Sequence, residues 1–180
     1  MQEYLQTVEH VVVDIGASNV EDLLSLMHKY KYRGSHEDFD YFVIPTVPAL
    51  KQQQDTVATL AELARLGIPG SKLKLVFDQV EDGTDVSQTF DTLLAFIEQQ
   101  QIMTTNARCR IGANEIYQRI KGTGQNLVDL ARDETDYKAL IVKSRDTAEK
   151  LVWAQKLAAR RLALGVVPEL DACYAALELA

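Results

Sequence analysis

The stretch VVVDIGASN, residues 11–19, holds the chain's clearest arrangement for chemistry. Asp14 closes a run of β-branched residues, and Gly16 follows two positions later. A carboxylate at a strand end can hold the hydration shell of a magnesium ion, while a glycine amide beside it meets a terminal phosphate. A helix starting near Asn19 would turn its unpaired N–H groups to the same place. The same residues also describe an aspartate closing a strand-to-helix turn beside a helix cap, so the pattern leaves both readings open.

The matching phosphate cradle is missing. A loop of the form G-x-x-x-x-G-K-S/T wraps phosphates in backbone amides and a lysine. None of the nine glycines here is followed by lysine. Lys121, Gly122, Thr123 and Gly124 bring the residue types in the wrong order, after a helical pattern. Tight triphosphate binding by this chain alone is therefore not expected. His10, His28 and His36 are scattered, and the adjacent spacing of His36, Glu37 and Asp38 sends the side chains apart, as in a solvated loop. Ser18 lacks the G-x-S-x-G elbow of a nucleophile, and Cys109 lies in a strand pattern, which reads as core.

Charge is uneven. Residues 137–161 carry seven basic side chains, including Lys150, Lys156, Arg160 and Arg161, and two acidic ones. That is a local +5 within a chain of net charge −7. The segment is either a solvated helix face balancing an acidic body or a docking surface for DNA, RNA or an acidic protein. Trp153 in the same segment reads as a packing anchor. The acidic total argues against attraction of nucleic acid to the whole surface.

Four short apolar runs must position these residues. Residues 9–15, 40–46 and 72–79 are short and rich in β-branched or apolar side chains, which predicts buried strands; residues 107–111 predict a weaker edge strand. Between them come helical patterns at about residues 18–30, 50–66 and 86–100. Ser18 and Glu21 form a capping box for the first, and Gly67 with Pro69 stops the second. In that second helix Val57, Leu60, Ala61 and Ala64 make the apolar face, and the QQQ runs at 52–54 and 99–101 face solvent. Crossovers of this length predict parallel strands in an α/β fold, with helices flanking a mostly parallel sheet. Ligands in such folds bind at the edge carrying the loops after the strands, here residues 16–19, 47–50 and 80–85.

From residue 114 the pattern is helical: a short helix at 114–120, a long one at 146–164 ended by Gly165 and Pro168, and a last one at 169–179. We thus expect an α/β core over residues 1–112 and a helical C-terminal region over 113–180. With 180 residues, 47% hydrophobic and 25% charged, the chain has the composition of an ordered globular domain. Two cysteines exclude a disulfide scaffold and a four-cysteine zinc site, and fit a reducing compartment. No apolar run reaches the roughly 18 residues of a membrane span. The opening MQEYLQTVEH has neither the basic region nor the apolar core of a signal peptide, so a cytoplasmic location is expected.

Taken together, VVVDIGASNVEDLLSLM, RGSHEDFDYFVIPTVPALKQQQDT, KLKLVFDQVE, NEIYQRI and DETDYKA resemble the plasmid stability proteins of the StbB type, relatives of the ParA/MinD ATPases. The resemblance covers most of the chain. It implies a P-loop NTPase-like fold, here incomplete, and a role in plasmid stability or partition, with a plasmid-encoded partner protein or a second copy of the chain, and with DNA as a further partner. It implies ATP and magnesium as cofactors. By position, Asp14 resembles the aspartate of the magnesium shell, Gly16 the phosphate sensor, and Asp78 stands where relatives tend to have an asparagine facing the base. An ionised aspartate accepts hydrogen bonds but donates none. Family members carry a strand, a P-loop and a helix ahead of the counterpart of VVVDIG, whereas this sequence starts almost directly at that counterpart. The expected function is binding without autonomous ATP hydrolysis, with Lys150, Lys156, Arg160 and Arg161 as the docking residues. The alternatives are an ATPase completed in trans or by a preceding segment, and a non-functional fragment.

Loss of the P-loop strand would open a gap in the sheet. Unpaired strand edges are costly when buried and invite pairing when exposed. The expectation is that residues 10–14 pair directly with 41–45, or that a second copy or a partner fills the gap.

Overall fold

The computed structural model describes residues 10–29 and 35–179. The chain is α/β, with a three-stranded parallel sheet flanked by helices and a helical C-terminal region. The strands are β1 (Phe42–Thr46), β2 (Leu73–Val80) and β3 (Arg110–Gly112), in the spatial order β1-β2-β3. β2 is central, and Leu73, Leu75, Val76, Phe77 and Val80 are all buried, as a strand covered on both faces requires. Pro45 has no N–H for a ladder, which suits β1 to an edge. β3 runs parallel to β2, with Phe77 opposite Arg110, Val80 opposite Gly112 and an irregularity between.

Contacts divide the chain into two units. One takes residues through Val76 together with Asp85–Thr105; the other takes Phe77–Thr84 and Asn106 onward. The division passes through β2, whereas the sequence suggested a boundary after residue 112.

In the first unit, α1 (Val20–His28) buries Leu24 and Met27. α2 (Leu50–Arg65) ends where Gly67 takes φ 78°, letting Ile68 N donate back to the Leu63 carbonyl. α3 (Val86–Thr89) is capped by Asp85, whose side chain accepts from Ser87 N, and α4 (Asp91–Gln100) buries Leu93 and Ile97. In the second unit, α5 (Ile116–Ile120), α6 (Leu127–Arg132) and α7 (Tyr137–Lys143) precede α8 (Thr147–Leu177). Side-chain caps set the starts of α6, α7 and α8: Asn126 accepts from Val128 N, Asp136 from Ala139 N and Asp146 from Glu149 N.

Several expectations need correction. Residues 10–16 form no strand, and Val11 and Val12 are 43% and 95% exposed. Pairing of 10–14 with 41–45 is therefore absent. β propensity is realised only against a neighbouring strand, and among the described residues none pairs with 10–16. The capping box at Ser18 is absent too: a single 3₁₀ turn, Ala17–Asn19, leads into α1, with no side-chain cap at Asn19. The helix expected to reach residue 30 is seen through His28, and residues 30–34 lie outside the described ones. α2 presents Gln53, Thr56, Leu60 and Leu63 to the core, because two polar residues find partners there. Gln53 Nε2 donates to the carbonyls of Pro48 at 2.8 Å and Thr89 at 3.0 Å, and the Thr56 and Thr46 hydroxyls lie 3.1 Å apart. Gln53 thus leaves solvent, unlike its two neighbours. The pattern at 86–100 is two helices, broken at Phe90. Finally, Gly165 and Pro168 do not end the long helix; α8 runs through both. Burial of Ala163, Val166, Cys173 and Leu177 keeps the helix continuous despite the amide that Pro168 lacks.

Candidate functional site

Asp14 and Gly16 lie in the first unit, on exposed irregular chain. Gly16 accepts from Asn19 N through its carbonyl at 2.8 Å and opens the 3₁₀ turn with an ordinary negative φ of −59°. Magnesium with a triphosphate, which the resemblance implies, does not fit these residues as this chain alone presents them. No strand holds Asp14 in place. The first turn of α1 carries Glu21 and Asp22, so carboxylates already stand at the positive helix end that a phosphate would need. No G-x-x-x-x-G-K-S/T loop is present in the sequence to cradle the phosphates.

Asp78 belongs to the second unit. It sits near the end of β2, half-buried, with a carboxylate oxygen accepting from Gln79 N at 2.8 Å. Gln79 has φ 56°, a left-handed turn within the strand that coincides with the irregularity against β3. Around Asp78 the fold gathers a cluster that spacing alone did not suggest. Glu169 and Cys173 stand one turn apart on α8, and Tyr117 comes from α5. Burial, then the charges of Glu169 and Asp78, push the Tyr117 hydroxyl above its usual range. Its oxygen is buried without a hydrogen-bond partner among the described residues. Burial, then Cys109, Glu169 and Asp78, likewise push the Cys173 thiol up. Glu169 accepts from Gly112 N, tying α8 to β3. The raised values describe groups that stay protonated in the closed fold rather than an activated nucleophile. No group of three His, Cys, Asp or Glu among the described residues could hold a metal ion. The sequence signal for this cluster was Glu169 and Cys173 at i, i+4 within the helix expected over 169–179; nothing local showed that Asp78 and Tyr117 would meet them.

The four basic residues separate into two kinds. Arg160 turns inward. Its Nη1 donates to the carbonyls of Asp133 at 2.9 Å and Thr135 at 2.8 Å, and its guanidinium lies 5.4 Å from the centre of the Tyr137 ring. Tyr137 is buried, donates its hydroxyl to the Asp133 carboxylate, and meets Trp153 with ring centres 6.1 Å apart. Arg160 thus staples the loop between α6 and α7 to α8. Lys150, Lys156 and Arg161 are exposed. Lys156 Nζ sits 5.0 Å from the centre of the Trp153 ring. Over residues 147–156 every side chain of α8 is exposed except Trp153. Leu151 and Val152, 59% and 46% exposed, stand among those cations, and Val142 on α7 is 82% exposed.

Comparison with family models, with characterised proteins and with solved structures finds no match for the chain. Among the described residues no helix is long and apolar enough to cross a membrane.

Proposed function

We propose that this chain is a plasmid stability or partition protein, similar to the StbB type and related to the ParA-like ATPases, that works in the cytoplasm by binding a partner protein and does not hydrolyse ATP on its own. The α/β fold is compatible with that kinship. The observation that carries the reading is the first part of α8. Its residues 147–156, of which only Trp153 is not exposed, present Lys150 and Lys156 beside Leu151 and Val152, and Arg161 is exposed further along the helix, past buried Leu157. A mixed cationic and apolar surface suits a protein face that is acidic at its rim and apolar at its centre. Arg160, which the sequence grouped with the other cations, has its guanidinium taken up by the Asp133 and Thr135 carbonyls.

The test is the triple variant Lys150→Glu, Lys156→Glu, Arg161→Glu. All three side chains are exposed, so the melting temperature stays near that of the wild type while the rate of plasmid loss rises. Unchanged plasmid retention refutes the reading. Calorimetry with Mg-ATP gives no micromolar binding to the isolated chain. If purified plasmid DNA binds instead, with affinity falling steeply in salt and weakened equally for every sequence by the triple variant, the partner is DNA.

The exposure of Val11 and Val12 favours a second reading, an ATPase completed in trans. A strand-forming run beside Asp14 would pair with a strand from a separate chain that brings the P-loop. ATP hydrolysis appearing only on mixing the two chains, and lost in Asp14→Ala, would support it.

A further inference from the structure

Two hydrogen bonds lay the segment before and through β3 along the end of α8. Asn106 Nδ2 donates to the Ala176 carbonyl at 3.0 Å, and Gly112 N donates to the Glu169 carboxylate. The two runs are therefore antiparallel. Cys109 is midway between Asn106 and Gly112. Cys173 lies between Glu169 and Ala176, and residues 169, 173 and 176 share one helix face by their i, i+4, i+7 spacing. Both cysteines are 3% exposed. The approach is close: a Cβ added at Gly112 would lie 2.9 Å from Glu169 Oε1. The Cys109 carbonyl accepts from Phe77 N at 2.9 Å, so its backbone is held against β2. The electrostatic influence of Cys109 on the Cys173 thiol agrees with this juxtaposition.

We infer that Cys109 and Cys173 are a redox modification site, forming an intramolecular disulfide that clasps β3 to the end of α8. These are the chain's only cysteines, so each has a single intramolecular partner. The oxidant is a low-molecular-weight disulfide. One protein thiolate attacks it, forming a mixed disulfide and releasing one small thiol. The second protein thiolate displaces the other small thiol. In sum, two protein thiols are oxidised to one disulfide, the small disulfide is reduced to two thiols, and the two protons leave with them. Both cysteines are buried and burial raises the Cys173 thiol, so exchange proceeds through local opening of the contact and is slow.

The experiment equilibrates the full chain with oxidised and reduced glutathione, under native conditions and in denaturant, then alkylates it and reads the intact mass. A disulfide that fits the fold and closes a loop of this length favours the oxidised form about a thousandfold more in the native chain than in the unfolded one. The expected native product is a monomer lighter by two hydrogens with no alkylated cysteine, and absent in Cys109→Ser and in Cys173→Ser. A native equilibrium constant equal to or below that in denaturant means the fold holds the sulfurs apart and overturns the inference. So does a native product that carries glutathione or is a disulfide-linked dimer. The readout is independent of the docking function proposed above.

Discussion

Replacing Arg160 by alanine tests whether this residue is part of the fold or part of a docking surface. The side chain gives two hydrogen bonds, to the Asp133 and Thr135 carbonyls, and lies over the Tyr137 ring. The Thr135 contact is exposed and the Asp133 contact part-buried, so each is worth about 1 kcal/mol rather than the full value of a charged donor. The cation–π contact adds roughly 0.5–1 kcal/mol. Removing all three costs about 2–3 kcal/mol, which for a chain of this size lowers Tm by roughly 4–12 °C. Trp153 is the only tryptophan and touches Tyr137, so its fluorescence during thermal or urea unfolding reports on this corner directly. Arg160→Lys keeps the charge but loses the planar fork, and recovers less than half of the loss. The exposed neighbour Arg161→Ala stays within about 0.5 kcal/mol of wild type. An Arg160→Ala variant melting within about 1 °C of wild type would refute the staple.

The same corner gives a pH prediction. Hydrogen bonds from the Thr135 hydroxyl, the Tyr137 hydroxyl and Thr135 N–H hold the Asp133 carboxyl down from 3.8 to about 2. A depressed folded-state value contributes stability that is present above 3.8 and lost as pH falls through about 2. Over that window the urea midpoint of the wild type falls further than that of Asp133→Asn; parallel curves contradict this. Pro168 sits inside α8, where it lacks the amide that would donate to the Leu164 carbonyl, and its side chain is exposed. Pro168→Ala raises stability by roughly 1–3 kcal/mol, read as a shifted urea midpoint, and a destabilised variant would mean the helix is bent there for a packing reason.

What the residues revealed in advance follows from how local each signal was. β2 was legible because a run with Leu73, Leu75, Val76 and Phe77 is buried wherever it pairs, and the stop of α2 because Gly67 supplies its own backbone geometry. Less legible was anything set by a distant partner. Residues 11–15 have every local mark of a strand, yet no neighbour in the described chain pairs with them. Gln53 reads as a solvated glutamine until the Pro48 and Thr89 carbonyls take its amide. Arg160 looked like its exposed neighbour Arg161, because nothing in composition shows which of two adjacent cations turns toward Asp133. The cluster of Asp78, Tyr117, Glu169 and Cys173 joins three elements far apart in sequence, and only the run of α8 past Pro168 brings the last two to it.

The unpaired segment at 10–15 separates a loop from an interface. Val11, Val12, Val13 and Ile15 place four β-branched residues in six positions, and a loop gains nothing from them. Leaving Val12 at 95% exposure forgoes about 1.5–3 kcal/mol that burial would supply. Strand addition to a partner's sheet edge would recover that burial and satisfy the backbone as well. Val12→Asp distinguishes the two cases. In the isolated chain the side chain meets only water, so the substitution shifts stability by less than about 0.5 kcal/mol. If the chain maintains plasmids through a partner strand, as proposed, an aspartate there raises plasmid loss to the level of a deletion, and Val12→Thr, which keeps the branched shape, leaves retention near wild type. Full plasmid retention by Val12→Asp would mean that the segment is an ordinary loop and that its strand-like sequence pairs with nothing.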